Sequence, residues 1–529
     1  MRRSFLVLTS VLTIGLGGCQ GEPEAKLQAD ILIKNGAVFI GDNSPAQYLT
    51  IAIKDDEIIY IGERANHIDA SKTLDVKGFY VLPGFIDPHT HSMAELTSKD
   101  PETRGNRNYQ FQGVTTVVNG NDGFGDPNVK QQMADLNTSG IGTNTALFIG
   151  HGALRKSVMG GDKRAPTEAE LSEMRAKIGQ AMEAGALGLS TGLFYAPGSF
   201  SNTEEVIALA KTAAKHGGVY DSHIRDEATY NIGLEAAVDE VIEIARQADI
   251  SANIAHIKAL GVDVWGKSDV LIANIETARA EGVKITADQY PWRASGTRIS
   301  NALIPRWVKA GSKQDYLKRL NDPELYGRIK SETTENLRKR GGPEAVLITQ
   351  TNPEWKGQTL GALAKKYKLS PVDTALKLAR EGDARIASFN MSPSDIENFM
   401  QQDWVMTSSD GSSGHPRKYA SFPKKFREYV INKNLMPVET FFYRSSGLVA
   451  DTFGICDRGY LKVGYKADIA ILDPATFSPK ADYQNPSELS GGVSYLLING
   501  EAVIANGEAQ SSLPGQVLRR CERDHQDAE

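Results

Sequence analysis

The sequence predicts an α/β fold: a (β/α)8 TIM-type barrel with a small β-sandwich built from both chain ends. Three observations point to it. Eight short apolar segments alternate with helix-like stretches, one strand-turn-strand phrase stands near both termini, and 529 residues exceed the roughly 250 that a single barrel needs.

The sandwich comes first. Ile31-Leu32-Ile33-Lys34 is followed by Asn35-Gly36, a hairpin signal because both residues tolerate positive φ, and Leu49, Ile51 and Ile53 then alternate with polar neighbours. The phrase returns as Leu496-Leu497-Ile498-Asn499-Gly500-Glu501-Ala502-Val503-Ile504. The implied division is 27–82 with 450–515 for the sandwich and 83–449 for the barrel. The eight barrel strands are read at 80–86, 115–119, 146–150, 186–190, 219–222, 253–255, 284–287 and 405–408. Thr167 and Glu170 have the spacing of a capping box, and Gly217-Gly218 ends a helix whose apolar stripe is Val206, Ala210 and Ala213. The charged, helix-prone stretch 292–345 breaks the rhythm and is read as an insertion, either a lid over the barrel mouth or a peripheral decoration.

Met1-Arg2-Arg3 and the apolar run from Phe5 to Leu16 have the form of a secretory leader, basic and then hydrophobic, too short to span a bilayer. Leu16-Gly17-Gly18-Cys19 resembles the lipobox of bacterial lipoproteins, which implies a leader over 1–19, a lipid on Cys19 and a polar tether over 20–26. Gln20, where Asp would favour inner-membrane retention, points to the outer membrane and a periplasmic location. The alternative is a plain leader with an incidental cysteine. Only Cys456 and Cys521 remain beyond Cys19, which argues against a disulfide framework and against a thiolate cluster, so a metal site must use imidazoles and carboxylates. A net charge of −6 with 40% hydrophobic and 23% charged residues excludes a polyanion-binding surface, hence nucleic acid as partner. Nothing in the sequence speaks to oligomeric state.

The chemistry centres on Gly84-Phe85-Ile86-Asp87-Pro88-His89-Thr90-His91. Alternate residues of an extended segment point the same way, so His89 and His91 can reach one ion. Alone, His-x-His is weak. Its position is what counts: of nine histidines, His89, His91, His223 and His256 all follow predicted strands at the end where such barrels place active sites, and Asp410 follows the eighth strand.

These residues sit in phrases that resemble the amidohydrolase superfamily and, within it, the D-aminoacylase (N-acyl-D-amino-acid deacylase) family. The matching runs are 83–91, 113–118, Gly185 to Tyr195 around Ser190, His223-Ile224-Arg225-Asp226-Glu227, His256-Ile257-Lys258, Ser409-Asp410-Gly411 and His415-Pro416-Arg417. The resemblance covers nearly the whole mature chain. It implies Zn²⁺, as one or two ions, and a small N-acyl amino acid as substrate. One departure matters: the family reads Gly-Asn-Cys-Gly after the second strand, and this chain reads Gly120-Asn121-Asp122-Gly123, so Asp122 stands where a thiolate ligand is usual. A carboxylate is harder but still binds or bridges zinc.

The resemblance therefore implies one metal position at Asp122, His223 and His256, and a second, weaker one at His89, His91 and Asp410. Asp410 is the expected general acid/base, moving a proton from water to the leaving nitrogen. Arg417 is suited to the substrate carboxylate because its guanidinium grips carboxylates bidentately, and Lys258 and Tyr290 match further substrate contacts. The family's serine after Tyr290 is replaced here by Gly296, next to Ser295. His151 and Arg155, after the third strand, either line the mouth or are structural. Competing readings are cyclic-amide (dihydroorotase-type) or dipeptide hydrolysis on the same metal site, and a non-catalytic ligand-binding lipoprotein. Gly188-Leu189-Ser190-Thr191-Gly192 also fits a serine-hydrolase elbow, but the downstream histidines are better explained as ligands.

Overall fold

The computed structural model describes residues 26–350 and 352–521, so the leader, Cys19 and most of the tether lie outside the described residues. Two sheets form the part that joins the chain ends. One orders its strands Glu57–Gly62, Thr50–Lys54, Leu27–Lys34 and Ile68–Asp75. The other runs Ala37–Val38, Tyr80–Pro83, Ile469–Leu472, Val493–Ile498, Glu501–Ala505 and Glu508–Ala509, so strands from both halves of the chain pair directly. Ile33, Ile51, Val81, Ile469 and Leu497 share one buried cluster between them.

The two Asn-Gly turns differ. Asn499-Gly500 closes a hairpin, with Ile498 opposite Glu501. Asn35-Gly36 does not, contrary to the hairpin expectation: Leu27–Lys34 pairs in the first sheet and Ala37–Val38 in the second, so this turn carries the chain from one sheet to the other. Asn35 takes a φ of 67°, and a Cβ on Gly36 would stand 2.6 Å from the Val81 side chain. Positive φ was rightly anticipated at both turns; tertiary packing decided what each connects.

The α/β part consists of parallel strands that pair with their successors. Phe85–Asp87, Val114–Asn119 and Asn144–Leu147 form a three-stranded sheet. Ile149–Gly150, Gly188–Gly192, Val219–His223, Ser251–Ile254, Ile285–Gln289 and Val405–Thr407 form a six-stranded one. The backbone bond from Leu187 N to Leu147 O and the parallel bridge between Thr90 and Gly411 lie where the two sheets meet. Helices intervene, and the Thr167 box is formed: the Thr167 hydroxyl accepts from Glu170 N (3.3 Å) while the Glu170 carboxylate accepts from Thr167 N (2.7 Å).

The insertion runs further than 345. Ala294–Arg298, Arg385–Phe389 and Val346–Gln350 make an antiparallel sheet, covered by helices such as Pro323–Lys339 and Pro371–Arg380 over a core of its own that includes Leu303, Ile329, Leu376 and Ile386. The strand that completes it returns forty residues after the charged stretch ends, which local composition does not reveal.

On the opposite side from the strand C-termini, the tail crosses the parallel series. Leu518 N donates to Thr145 O, Arg520 N to Gly185 O and Cys521 N to Gly454 O. Leu518 joins Ile86, Phe148, Leu187, Val219, Met406 and Phe453 in one buried cluster. Cys521 is disulfide-bonded to Cys456, a covalent link that two cysteines without a framework pattern did not announce.

Candidate metal centre

Every strand in the series except the third and fourth delivers a polar residue to one place. His89 and His91 follow the first strand, Asp122 the second, His223 ends Val219–His223, His256 follows Ser251–Ile254, and Asp410 follows Val405–Thr407. Asp87 stitches the first segment to the last, since its Oδ1 accepts from His89 N (3.2 Å) and Ser409 N (3.1 Å), and Asp410 N donates to His89 O. Three of the residues that converge have left-handed backbone: Asp122 (φ 58°), His256 (38°) and Asp410 (45°). Such conformations cost roughly 1–3 kcal/mol each and persist where the surroundings over-determine them.

Asp122 sits at the middle. Its Oδ1 is 3.3 Å from His89 Nε2, 3.5 Å from His223 Nδ1 and 3.4 Å from His256 Nε2, and its Oδ2 is 3.4 Å from His91 Nε2. Asp410 Oδ1 is 3.3 Å from His91 Nε2 and 3.8 Å from His89 Nε2. The ligating atoms form two overlapping groups, His89, His91, Asp122 and Asp410 in one and Asp122, His223 and His256 in the other. The turn that aims Asp122 is held by Ser190, whose hydroxyl accepts from Gly123 N and donates to Gly120 O. That commitment, with complete burial, removes Ser190 as a nucleophile.

This donor set fits a divalent cation. Both ring nitrogens of His89 and of His223 and the Oδ1 of Asp122 are buried without a hydrogen-bond partner, and imidazole with carboxylate oxygen is a usual zinc environment. The field favours positive charge: although burial opposes it, the Asp122 carboxylate pulls His89 up to about 9, and Asp410, Asp122 and Glu227 pull His256 up to about 10 against burial and Lys258. Burial alone wins at His223, whose pKa is lowered.

The expected substrate-contacting residues adjoin the cluster. Lys258 Nζ is 2.7 Å from His256 Nδ1 and 5.7 Å from the centre of the Tyr290 ring, and Arg417 stacks over the same ring at 4.6 Å. The Tyr290 hydroxyl is buried and unpartnered. Arg417, anticipated as a grip for a substrate carboxylate, already faces a carboxylate: Nη1 lies 2.7 Å from Asp410 Oδ2, outside hydrogen-bonding geometry, while Nη2 donates to Gly296 O and Ser412 Oγ. This pairing holds Asp410 well below the usual carboxylate range despite burial. Gly296 has no room for a side chain, because a Cβ would come within 2.9 Å of Ser412 Oγ, and Ser295 turns away to Asn390 and Arg340.

His151 and Arg155 are not in the cluster. Both are fully buried against Glu205, with His151 Nε2 2.9 Å from Oε1 and Arg155 in an ion pair with Oε2, so they serve packing of the helix Thr203–Lys215 and not the mouth. Conversely, four acidic and amide side chains escaped the sequence reading. Glu227 contacts His223, His256 and Lys258. Asp221 and Asp288 approach His89 from below and are bridged by Asn253 Nδ2 at 2.8 Å to each. Burial, with Asp288 nearby, pushes Asp221 up to about 6. Asp221 precedes His223 by two on one strand and Asp288 stands near a strand end, so the alternation applied to His89 and His91 would have found both. A cavity of about 450 Å³ opens beside His91, walled by Met93, Ala94, Phe124, Gln132 and Ala153.

Residues 72–297 match the model of the amidohydrolase family. The chain is 30% identical to a D-aminoacylase of Alcaligenes xylosoxydans xylosoxydans over 93% of its own length and 98% of the relative's. An N-acyl-D-glutamate deacylase from Bordetella bronchiseptica, solved with zinc and a phosphonate mimic of the tetrahedral intermediate, superposes with a TM-score of 0.79 at 30% identity, covering 93% of this chain and 100% of that one. A D-aminoacylase structure addressing a binuclear metal centre, with one-metal activation and second-metal attenuation, superposes with a TM-score of 0.79 at 29% identity and the same coverage.

Proposed function

The chain belongs to the D-aminoacylase family of amidohydrolases, and on that premise we propose that it hydrolyses N-acyl-D-amino acids to a carboxylate and a free D-amino acid, with zinc as cofactor. The observation that carries the reading is the convergence of four imidazoles on Asp122, with buried nitrogens left unpartnered.

Asp122, His223 and His256 would hold one ion, and His89, His91 and Asp410, with Asp122 shared, a second. Bound zinc supplies a Lewis acid that polarises the amide carbonyl and lowers the pKa of water from 15.7 to about 7. Asp410 is ionised beside Arg417 and is the base that takes a proton from the attacking water and returns it to the amide nitrogen, which must be protonated to leave. Arg417, Lys258 and Tyr290 gather at one side of that carboxylate and are the proposed seat of the substrate's α-carboxylate, with Arg417 shifting from Asp410 to share the incoming charge. The solvent-open cavity beside His91 has room for the other arm of the substrate.

The parallel series is read as a closed (β/α)8 barrel at 83–449, supported by sequential parallel pairing and the Thr90–Gly411 bridge. The two mixed sheets are read as the sandwich domain. Export with a lipid on Cys19 is supported by the leader-like N-terminus and by the Cys456–Cys521 bond, since disulfides persist chiefly in oxidising compartments.

The test is protein lacking residues 1–19, assayed for zinc content and for turnover of N-acetyl-D-amino acids, their L-enantiomers, dihydroorotate and dipeptides. Zinc-dependent release of the D-amino acid is expected. Metal-free protein that zinc does not activate on any of these substrates would remove the enzymatic reading, and preference for dihydroorotate or dipeptides would redirect it.

A further inference from the structure

We propose that Glu227 is a positioning residue that decides which nitrogen His223 and His256 each present to the metal, and that it does so partly by keeping Lys258 from His256. The inference rests on the zinc amidohydrolase reading above.

The two imidazoles use different nitrogens. His223 turns Nδ1 to Asp122 Oδ1 (3.5 Å) and His256 turns Nε2 to the same oxygen (3.4 Å). Glu227 occupies the far side of both rings, with Oε2 3.7 Å from His223 Nε2 and Oε1 3.3 Å from His256 Nδ1. A neutral imidazole carries one N–H and one lone pair, so a carboxylate behind a ring keeps the proton on its own side and leaves the lone pair for the ion. Glu227 thereby selects the Nε2–H form of His223 and the Nδ1–H form of His256.

Lys258 makes the requirement sharper. Its Nζ lies 2.5 Å from Glu227 Oε1 and 2.7 Å from His256 Nδ1. An ammonium that donates to Nδ1 would force the ring proton onto Nε2, the nitrogen that must face the ion. Glu227 gives the ammonium a better acceptor and balances its charge in a buried place. The carboxylate is itself fastened. Asp226 accepts from Ala228 N and Gly233 N, the Arg225 guanidinium grips Glu240, and Leu260 N donates to Glu227 O, so the loop on both sides of Glu227 is pinned.

The experiment is zinc affinity by chelator competition, together with the absorption spectrum of the Co²⁺-loaded protein, for wild type, Glu227→Gln, Lys258→Met and the double variant. Glutamine offers one acceptor oxygen where the carboxylate offers two, so affinity is expected to fall about 10–100-fold, the usual effect of losing such a partner, with an altered cobalt spectrum. Removing Lys258 in the same chain is expected to restore part of that loss. Should Glu227→Gln not fold, Glu227→Asp, one methylene shorter, reads the same contacts and is expected to bind zinc more weakly. Wild-type zinc affinity and cobalt spectrum in the Glu227 variants would overturn the proposal while leaving the enzyme reading intact. No gain from Lys258→Met in the Glu227→Gln background would overturn the part assigned to the lysine. Wild-type protein that takes up no zinc would overturn the enzyme reading itself.

Discussion

The two ends of the parallel strands are built on opposite terms. At the C-terminal ends, four imidazoles and several carboxylates are buried together, three residues hold left-handed backbone, and donors and acceptors lack partners. At the N-terminal side, Ile86, Phe148, Leu187, Val219, Met406 and Phe453 close over one another, and the tail lays Leu518 across them under a disulfide. One end holds unsatisfied polar groups in place for chemistry, and the apolar end opposite provides the rigidity that makes this tolerable. The contrast implies that substitutions at the mouth register in turnover and substitutions at the floor register in stability.

The largest effect is expected at the mouth. Asp410→Asn keeps the side chain's shape and removes its proton-accepting charge, so kcat should fall by about 10²–10⁴-fold, the usual worth of a positioned acid/base, with unchanged near-UV circular dichroism. Turnover at the wild-type rate would take proton transfer away from Asp410.

At the floor, Phe453→Ala removes a fully buried ring that meets Phe148 edge-on at 5.7 Å between centroids. The expected loss is about 3–5 kcal/mol in urea unfolding, with kcat/KM of the folded fraction within a factor of two of wild type. A smaller loss is expected when the tail is merely untied. Cys456→Ser opens a link spanning 65 residues, for which about 2–4 kcal/mol is typical, and activity should again be spared. A floor variant that stays stable but loses catalysis would break the division.

Much of this division could be read from the sequence because it rests on local rules. Strand periodicity located the eight parallel segments, and the polar residues just after them supplied His89, His91, His223, His256 and Asp410. What escaped depends on distant chain. Asn35-Gly36 and Asn499-Gly500 are the same phrase with the same backbone preference, yet the partner strand that makes one a hairpin is adjacent and the partners that make the other a sheet-switching corner include Tyr80–Pro83. Likewise the insertion's closing strand Arg385–Phe389, the pairing of Cys456 with Cys521 and the ion pair of Arg417 with Asp410 join residues that no local pattern links. Arg155 looked like a mouth residue by position and is satisfied by Glu205, fifty residues on.

The smallest effect tests the mouth by stability instead of turnover. Asp87 ties His89 N and Ser409 N with one oxygen and leaves Oδ2 buried without a partner. Burial pushes its carboxyl up to about 7, against the hydrogen bonds from Ser409 and His89, while an unfolded aspartate titrates near 3.9. Between those values the unfolded state has released a proton that the folded state still holds, so raising the pH favours unfolding through this group. Its contribution to stability is fully present below pH about 4 and is lost as the pH climbs to about 7, with a slope on the order of 1 kcal/mol per pH unit. Urea unfolding of the zinc-stripped protein at pH 5, 6 and 7 should therefore show a flatter pH dependence for Asp87→Asn, whose amide does not titrate, than for wild type. Parallel curves would mean that Asp87 is ionised in the folded protein and that the mouth tolerates its charge, bringing the two ends of the strands closer in character than their packing suggests.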